Sequence, residues 1–92
     1  MQVNFYATLR DITGTKRVDF EILQGARVRD LISEVVRVYP ELKTKLLNED
    51  GQLYGHLHVL INGRDVLSFE NALETELRKE DVMNIFPAMG GG

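Results

Sequence analysis

The chain closes on Gly90, Gly91 and Gly92, and this is where residue type and spacing most suggest chemistry. A chain end offers a carboxylate with no side chain beside it. Such a carboxylate is a poor electrophile until it is activated. Joined to AMP it becomes a mixed anhydride that a sulfur or amine nucleophile can attack. Glycines let the backbone enter a narrow tunnel without a Cβ clash. Residues 87–92 extend over about 20 Å at ~3.3–3.6 Å each, enough to leave a domain and reach a partner's active site. A chain without cysteine can still carry sulfur if the sulfur sits on this carboxyl as a thiocarboxylate. Taken alone, a glycine-rich end is also compatible with a frayed terminus.

The other candidate residues point away from catalysis. His56 and His58 are two apart, so on a strand they face the same way. There is no third histidine and no cysteine, so surface imidazoles are the better reading and no metal site is expected. The absence of cysteine removes disulfides, thiolate metal sites and cysteine catalysis together, and suits a reducing cytoplasm, which is the expected location. Gly14, Gly25, Gly51, Gly55 and Gly63 are scattered one per turn and form no phosphate-binding loop. No bound cofactor is therefore expected, and ATP would be held by a partner. The 14 acidic residues alternate with the 11 Lys and Arg as a solvated surface rather than a catalytic carboxylate pair. The net charge of −3 argues against nucleic acid. No apolar run approaches the ~20 residues of a membrane span, and no signal peptide is expected from the N-terminal residues.

Ninety-two residues with 43% apolar and 27% charged side chains suit one globular domain. Residues 2–9 alternate, with Val3, Phe5, Ala7 and Leu9 on one face and Gln2, Asn4, Tyr6 and Thr8 on the other, which predicts a half-buried strand. A turn around Gly14 leads to a second alternating run, residues 16–23, with Val18, Phe20 and Ile22 inward. The two predict an antiparallel hairpin. From Val28 the period changes: Val28, Leu31, Ile32, Val35, Val36 and Tyr39 form one stripe of an amphipathic helix, ended by Pro40. Leu42, Leu46 and Leu47 mark a shorter helical piece. Residues 57–61 and 64–67 read as extended runs joined by Asn62-Gly63, a type I′ hairpin signal. Residues 70–81 read as a loop with a helical turn, and residues 82–86 as the last strand, stopped by Pro87. The helix must cover the apolar face of a mixed sheet, an α+β layer pair. Val28, Leu31, Ile32 and Val35 are expected to bury against Val3, Phe5, Val18, Phe20 and Ile61.

This order of elements resembles the ubiquitin-like β-grasp sulfur carriers, above all the small subunit of molybdopterin synthase and its archaeal relatives. The residues that carry the resemblance are Val3-Asn4-Phe5-Tyr6-Ala7-Thr8-Leu9-Arg10-Asp11 with Gly14, Val28-Arg29-Asp30-Leu31, Tyr39-Pro40, Val59-Leu60-Ile61-Asn62-Gly63-Arg64-Asp65, and Asp81-Val82-Met83-Asn84-Ile85-Phe86-Pro87 followed by Gly91-Gly92. The family often has a second proline where this chain has Ala88 and a non-glycine residue where it has Gly90. The resemblance implies a β-grasp domain over residues 1–86 with parallel first and last strands, and a flexible donor tail over residues 87–92. It implies that the chain is no enzyme on its own but the carrier subunit of a sulfurtransferase. A ubiquitin-activating-type enzyme would adenylate Gly92 with ATP, a sulfur donor would convert it to the thiocarboxylate, and the large catalytic subunit would use the sulfur to build molybdopterin for a molybdenum or tungsten cofactor. Gly90 and Gly91 would thread the tail. Tyr6, Phe86, Pro87 and Met89 would form an apolar docking patch at its root, and Arg10 could clamp an acid of a partner. The alternatives are a ubiquitin-like modifier joined to target lysines through Gly92, or a carrier for thiolation of tRNA or thiamine.

Overall fold

A computed structural model describes residues 1–87. Strand β1 (Gln2–Phe5) is shorter than the alternation over residues 2–9 suggests. At Ala7 the backbone takes φ 53° and leaves the sheet, and helix α1 (Thr8–Thr13) follows where strand and turn were expected. Leu9 and Ile12, three apart, both pack on the core from this helix. Their helical spacing was hidden by the chance alternation that precedes it, and Ala7 is exposed rather than sharing the face of Val3 and Phe5.

Strand β2 (Arg17–Asp19) runs antiparallel to β1 with Val18 opposite Val3. The ladder reaches one residue further: the Phe20 amide donates to the Met1 carbonyl at 2.8 Å, and the Met1 amino group donates to the Phe20 carbonyl at 2.7 Å. Pairing stops there, and residues 21–23 join no strand. The strand therefore ends before the alternation does.

Helix α2 (Val28–Val38) buries Val28, Leu31, Ile32 and Val35. The Asp30 carboxylate accepts from the Arg27 amide at 2.9 Å, satisfying an otherwise orphaned donor at the helix start. Pro40 opens a 3-10 turn, Pro40–Leu42, which runs into helix α3 (Lys43–Leu46). Leu42 and Leu46 are buried there as expected. Leu47 is extended instead, and bridges to Leu53.

Strands β3 (His58–Ile61) and β4 (Arg64–Asp65) form the second hairpin. Asn62 and Gly63 have φ of 52° and 85°, the two positive values a type I′ turn requires. The Asn62 side chain also grips the start of the last strand, accepting from the Val82 amide at 3.0 Å and donating to Asp81 at 2.9 Å. The extended run expected through Leu67 ends at Asp65, whose carboxylate accepts from the Leu67 amide at 2.9 Å and starts a 3-10 turn, Val66–Ser68. Another such turn, Ala72–Glu74, lies within the expected loop.

Strand β5 (Val82–Phe86) occupies the centre of the five-stranded sheet, whose order is β2-β1-β5-β3-β4. It is parallel to β1 and antiparallel to β3. Val3, Phe5, Val59, Ile61, Met83 and Ile85 line the inner sheet face and join the four α2 residues, Phe20, Leu9, Leu42 and Leu46 in one apolar core. Val18 packs against that core while half-buried. This is a mixed-sheet α+β fold of the ubiquitin-like β-grasp type, with the helix stripe buried as the sequence predicts. No helix among the described residues is long and apolar enough to cross a membrane.

Candidate functional site

Side chains on a strand alternate between faces. With Val3, Phe5, Met83 and Ile85 turned to the core, Gln2, Asn4 and Tyr6 from the β1 end and Asn84 and Phe86 from β5 lie on the open face, away from α2. The parallel register sets Asn4 opposite Asn84. The antiparallel register sets His58 opposite Phe86 and Leu60 opposite Asn84. The open face beside the exit of the chain from β5 is thus assembled from residues that are distant in sequence.

Tyr6 and Phe86 stack face to face, with ring centroids 4.1 Å apart and an interplanar angle of 13°. Both are half-buried. The Tyr6 amide donates to the Ile85 carbonyl at 3.2 Å, so β1 is held to β5 for one residue past its strand. The Tyr6 hydroxyl donates to Asn84 Oδ1 at 3.4 Å, and the same oxygen accepts from Asn4 Nδ2 at 2.8 Å. Gln2 Nε2 in turn donates to Asn4 Oδ1 at 3.0 Å. On the other side of the ring, Lys16 Nζ lies 4.9 Å from the Tyr6 centroid, within cation–π range. Pro87 follows Phe86 directly and is half-buried.

Two of the expected docking residues, Tyr6 and Phe86, are therefore in contact, and Pro87 continues from them. Arg10 lies exposed on α1, and among the described residues no hydrogen bond or ion pair joins it to Tyr6 or Phe86. Met89, Gly90, Gly91 and Gly92 lie outside the described residues, as do Ala88 and the expected mobility of the tail.

The histidines do not share a strand. His56 precedes β3 in a turn and stacks on Tyr54 at 5.0 Å, whereas His58 Nδ1 lies 3.9 Å from Asp65 Oδ2 on β4. Among the described residues no group of three or more His, Asp or Glu is placed to hold a metal ion.

Asn84 and Lys16 are the members of this face that sequence reasoning missed, whereas the alternation of residues 2–9 had already put Asn4 on the side of Tyr6. The alternation of residues 82–86 puts Asn84 on the side of Phe86. Its place between Asn4 and Tyr6 depends on the parallel β1–β5 register, which no local pattern encodes. Rings, amides and an ammonium make a surface suited to docking. Among the described residues this face holds no paired nucleophile and base.

The family model described as ThiS family matches residues 3–92. Small archaeal modifier protein 3 of Haloferax volcanii is 32% identical over 92 residues, covering 100% of this chain and 98% of that protein. A putative sulfur carrier protein of Archaeoglobus fulgidus is 33% identical over 79 residues, 86% of this chain and 85% of its own. Among solved structures, that of SAMP1 from Haloferax volcanii superimposes with a TM-score of 0.87 at 28% identity, covering 99% of this chain and 97% of that one. A putative molybdopterin converting factor, subunit 1, from Pyrococcus furiosus does so with a TM-score of 0.76 at 29% identity, covering 96% and 95%.

Proposed function

The chain belongs to the ThiS family of ubiquitin-like sulfur carriers, and from that membership we propose that it donates sulfur from a Gly92 thiocarboxylate, as the small subunit of molybdopterin synthase. The observation that carries this reading is the Tyr6–Phe86 stack, placed where the chain leaves β5 for the residues that end in Gly90-Gly91-Gly92. The domain, residues 1–86, is the part a partner grips. Residues 87–92 are the donor tail that enters the partner's active site. The molybdopterin assignment is supported by the Pyrococcus furiosus neighbour, whose own description is a molybdopterin converting factor subunit.

In this mechanism the carrier supplies a carboxyl group and a docking surface. A ubiquitin-activating-type adenylating enzyme binds ATP, and the Gly92 carboxylate attacks its α-phosphorus, releasing pyrophosphate. A sulfur donor then displaces AMP and leaves the thiocarboxylate. The large synthase subunit receives the tail and contributes acid–base catalysis; the thiocarboxylate sulfur bonds to the pterin precursor, and water then cleaves the carbonyl–sulfur bond, leaving sulfur on the precursor and returning the Gly92 carboxylate. Tyr6, Phe86, Pro87 and Met89 anchor the docking, and Arg10 pairs with an acid of the partner. No cofactor is held by the carrier itself, and the cytoplasm is its place of work.

A second reading is favoured by one specific observation: two relatives are described as small archaeal modifier proteins. There the same adenylated Gly92 is attacked by a lysine of a target protein and forms an isopeptide bond. Both readings need an activated terminus, so one experiment tests what they share and another separates them. ATP–pyrophosphate exchange with the cognate adenylating enzyme should be lost when Gly92 is deleted or one residue is added after it, with the fold intact. The reacting carbonyl must lie about 3–3.5 Å from its attacking partner, and one residue displaces it by ~3.5 Å. Equal exchange by altered and native tails would remove Gly92 from the mechanism. Supplying the large synthase subunit and pterin precursor to the thiocarboxylated carrier should yield molybdopterin. Lysine-linked conjugates without molybdopterin would select the modifier.

A further inference from the structure

Strands β1 and β5 both lie inside the sheet, and each carries an asparagine at the same level, Asn4 opposite Asn84. Asparagine is among the residues that strands disfavour, and β-branched or aromatic side chains fit the pleat better. Among the described residues Asn4 is also the one polar residue that is buried, at 9% exposure. Natural sequences break such local rules mostly at functional sites.

The hydrogen bonds of the two amides run to Tyr6. Gln2 Nε2 donates to Asn4 Oδ1 at 3.0 Å, and Asn4 Nδ2 donates to Asn84 Oδ1 at 2.8 Å. This chain fixes the Asn84 amide, whose oxygen also accepts from the Tyr6 hydroxyl at 3.4 Å. Tyr6 is otherwise lightly held. It lies one residue past the end of β1, and its backbone is tied to the sheet by the hydrogen bond from its amide to the Ile85 carbonyl at 3.2 Å. The next residue, Ala7, already turns out of the sheet with φ 53°.

The direction of the Tyr6 side chain follows from the register. Phe5 is level with Ile85, so Tyr6 is level with Phe86. Asn84 lies two residues earlier on β5, about 6.6 Å back at the ~3.3 Å rise of a strand. A hydroxyl that reaches Asn84 therefore leans back along the strand, away from Pro87 and the chain exit, while its ring lies flat on Phe86. Phe86 and the Lys16 ammonium, 4.9 Å from the ring centroid, act on the ring faces. The hydroxyl bond sets the direction of the ring's long axis. We propose that Asn84 is a positioning residue for docking: through the Tyr6 hydroxyl it holds the Tyr6–Phe86 stack leaning away from the chain exit, in the orientation that the adenylating enzyme grips. This rests on the proposed function, in which that stack is the docking anchor. Rings already held in place lose less freedom when a partner binds, so the effect belongs to affinity and not to the chemical step.

The test is a double-mutant cycle on the full chain, with Asn84→Leu, Tyr6→Phe and the two together. Tyr6→Phe removes the hydroxyl alone and leaves the Asn4–Asn84 bond, so it decides the matter if Asn84→Leu folds poorly. ATP–pyrophosphate exchange with the adenylating enzyme, at varied carrier concentration, gives KM and kcat. Nuclear magnetic resonance of the free carrier gives the ring-proton shifts of Phe86, which a stacked ring displaces. Each single variant should raise KM about three- to tenfold with kcat unchanged, and the double variant should raise it no further than the larger single effect. In all three the Phe86 ring protons should move toward their unstacked positions. An Asn84 that serves only the buried Asn4 would lower stability without coupling to the Tyr6 hydroxyl in KM. Phe86→Ala separates the two levels. If it raises KM while Asn84→Leu and Tyr6→Phe keep the native value, docking through the stack stands and the positioning role falls. Additive effects of the two variants, a loss confined to kcat, or native Phe86 ring shifts in both would also overturn the positioning role. If Phe86→Ala too keeps the native KM, or the native chain supports no exchange, the docking reading falls and the positioning role with it.

Discussion

Phe86 is fixed from several sides: by the β5 backbone on both ladders, by the Tyr6 ring stacked on it, and through Tyr6 by the amide chain of Asn84, Asn4 and Gln2. A ring held this way can anchor a partner with little further loss of freedom, which is what interface anchors require. Phe86→Ala should weaken binding of the adenylating enzyme by about 1–4 kcal/mol. The loss of the aromatic pair should cost the fold only about 0.5–1.5 kcal/mol. Calorimetric titration beside urea unfolding measures both, and a stability loss exceeding the affinity loss would make Phe86 a structural residue. Ala7 is the neighbour that turns the chain out of the sheet, with φ 53° and ψ −129°. Such a backbone costs a non-glycine residue about 1–3 kcal/mol, and the Ala7 methyl is exposed and buries nothing. Glycine loosens the unfolded chain by about 0.4–1 kcal/mol, so Ala7→Gly should stabilise by about 1 kcal/mol net. A urea midpoint that falls at constant slope would contradict this. Phe86 and Pro87 stood out in the sequence as an aromatic-proline pair before a glycine end. Asn84 did not, because an asparagine mid-strand reads as ordinary surface until the partner strand is known.

The helix α2 was legible because its apolar stripe repeats over three turns, and the structure buries Val28, Leu31, Ile32 and Val35 along it. Leu31→Ala should cost about 2–5 kcal/mol, since Leu31 is 1% exposed in the apolar core. Thermal or urea unfolding checks it, and a loss below 1 kcal/mol, less than the transfer term alone, would mean that the stripe does not carry the core. The Asn62-Gly63 turn and the bounds of β5 were equally plain, the turn because few residues tolerate two consecutive positive φ values. The misread elements fail for long-range reasons. β1 yields to α1 where Ala7 leaves the sheet and Leu9 fills the core from a helix. β2 ends at Asp19 although the alternation runs on, because residues 21–23 join no ladder. The parallel neighbouring of β1 and β5 came from family resemblance, because a pairing across some eighty residues leaves no periodic trace.

Taken whole, the molecule separates holding from reacting. A five-stranded sheet presents the Tyr6–Phe86 face at the chain exit, while the reactive group is proposed to be the carboxyl of Gly92. On the proposed function the sulfur resides on the terminus, which a partner activates with ATP. Intact-mass spectrometry of the carrier, after incubation with its adenylating enzyme, ATP and a sulfide donor, reads that event at the atom concerned. The native chain should gain the mass difference of one sulfur replacing one oxygen, localised to the peptide ending in Gly92, while the chain lacking Gly92 stays unchanged. An unmodified native chain, or the same gain in the truncated one, would contradict a thiocarboxylate at Gly92.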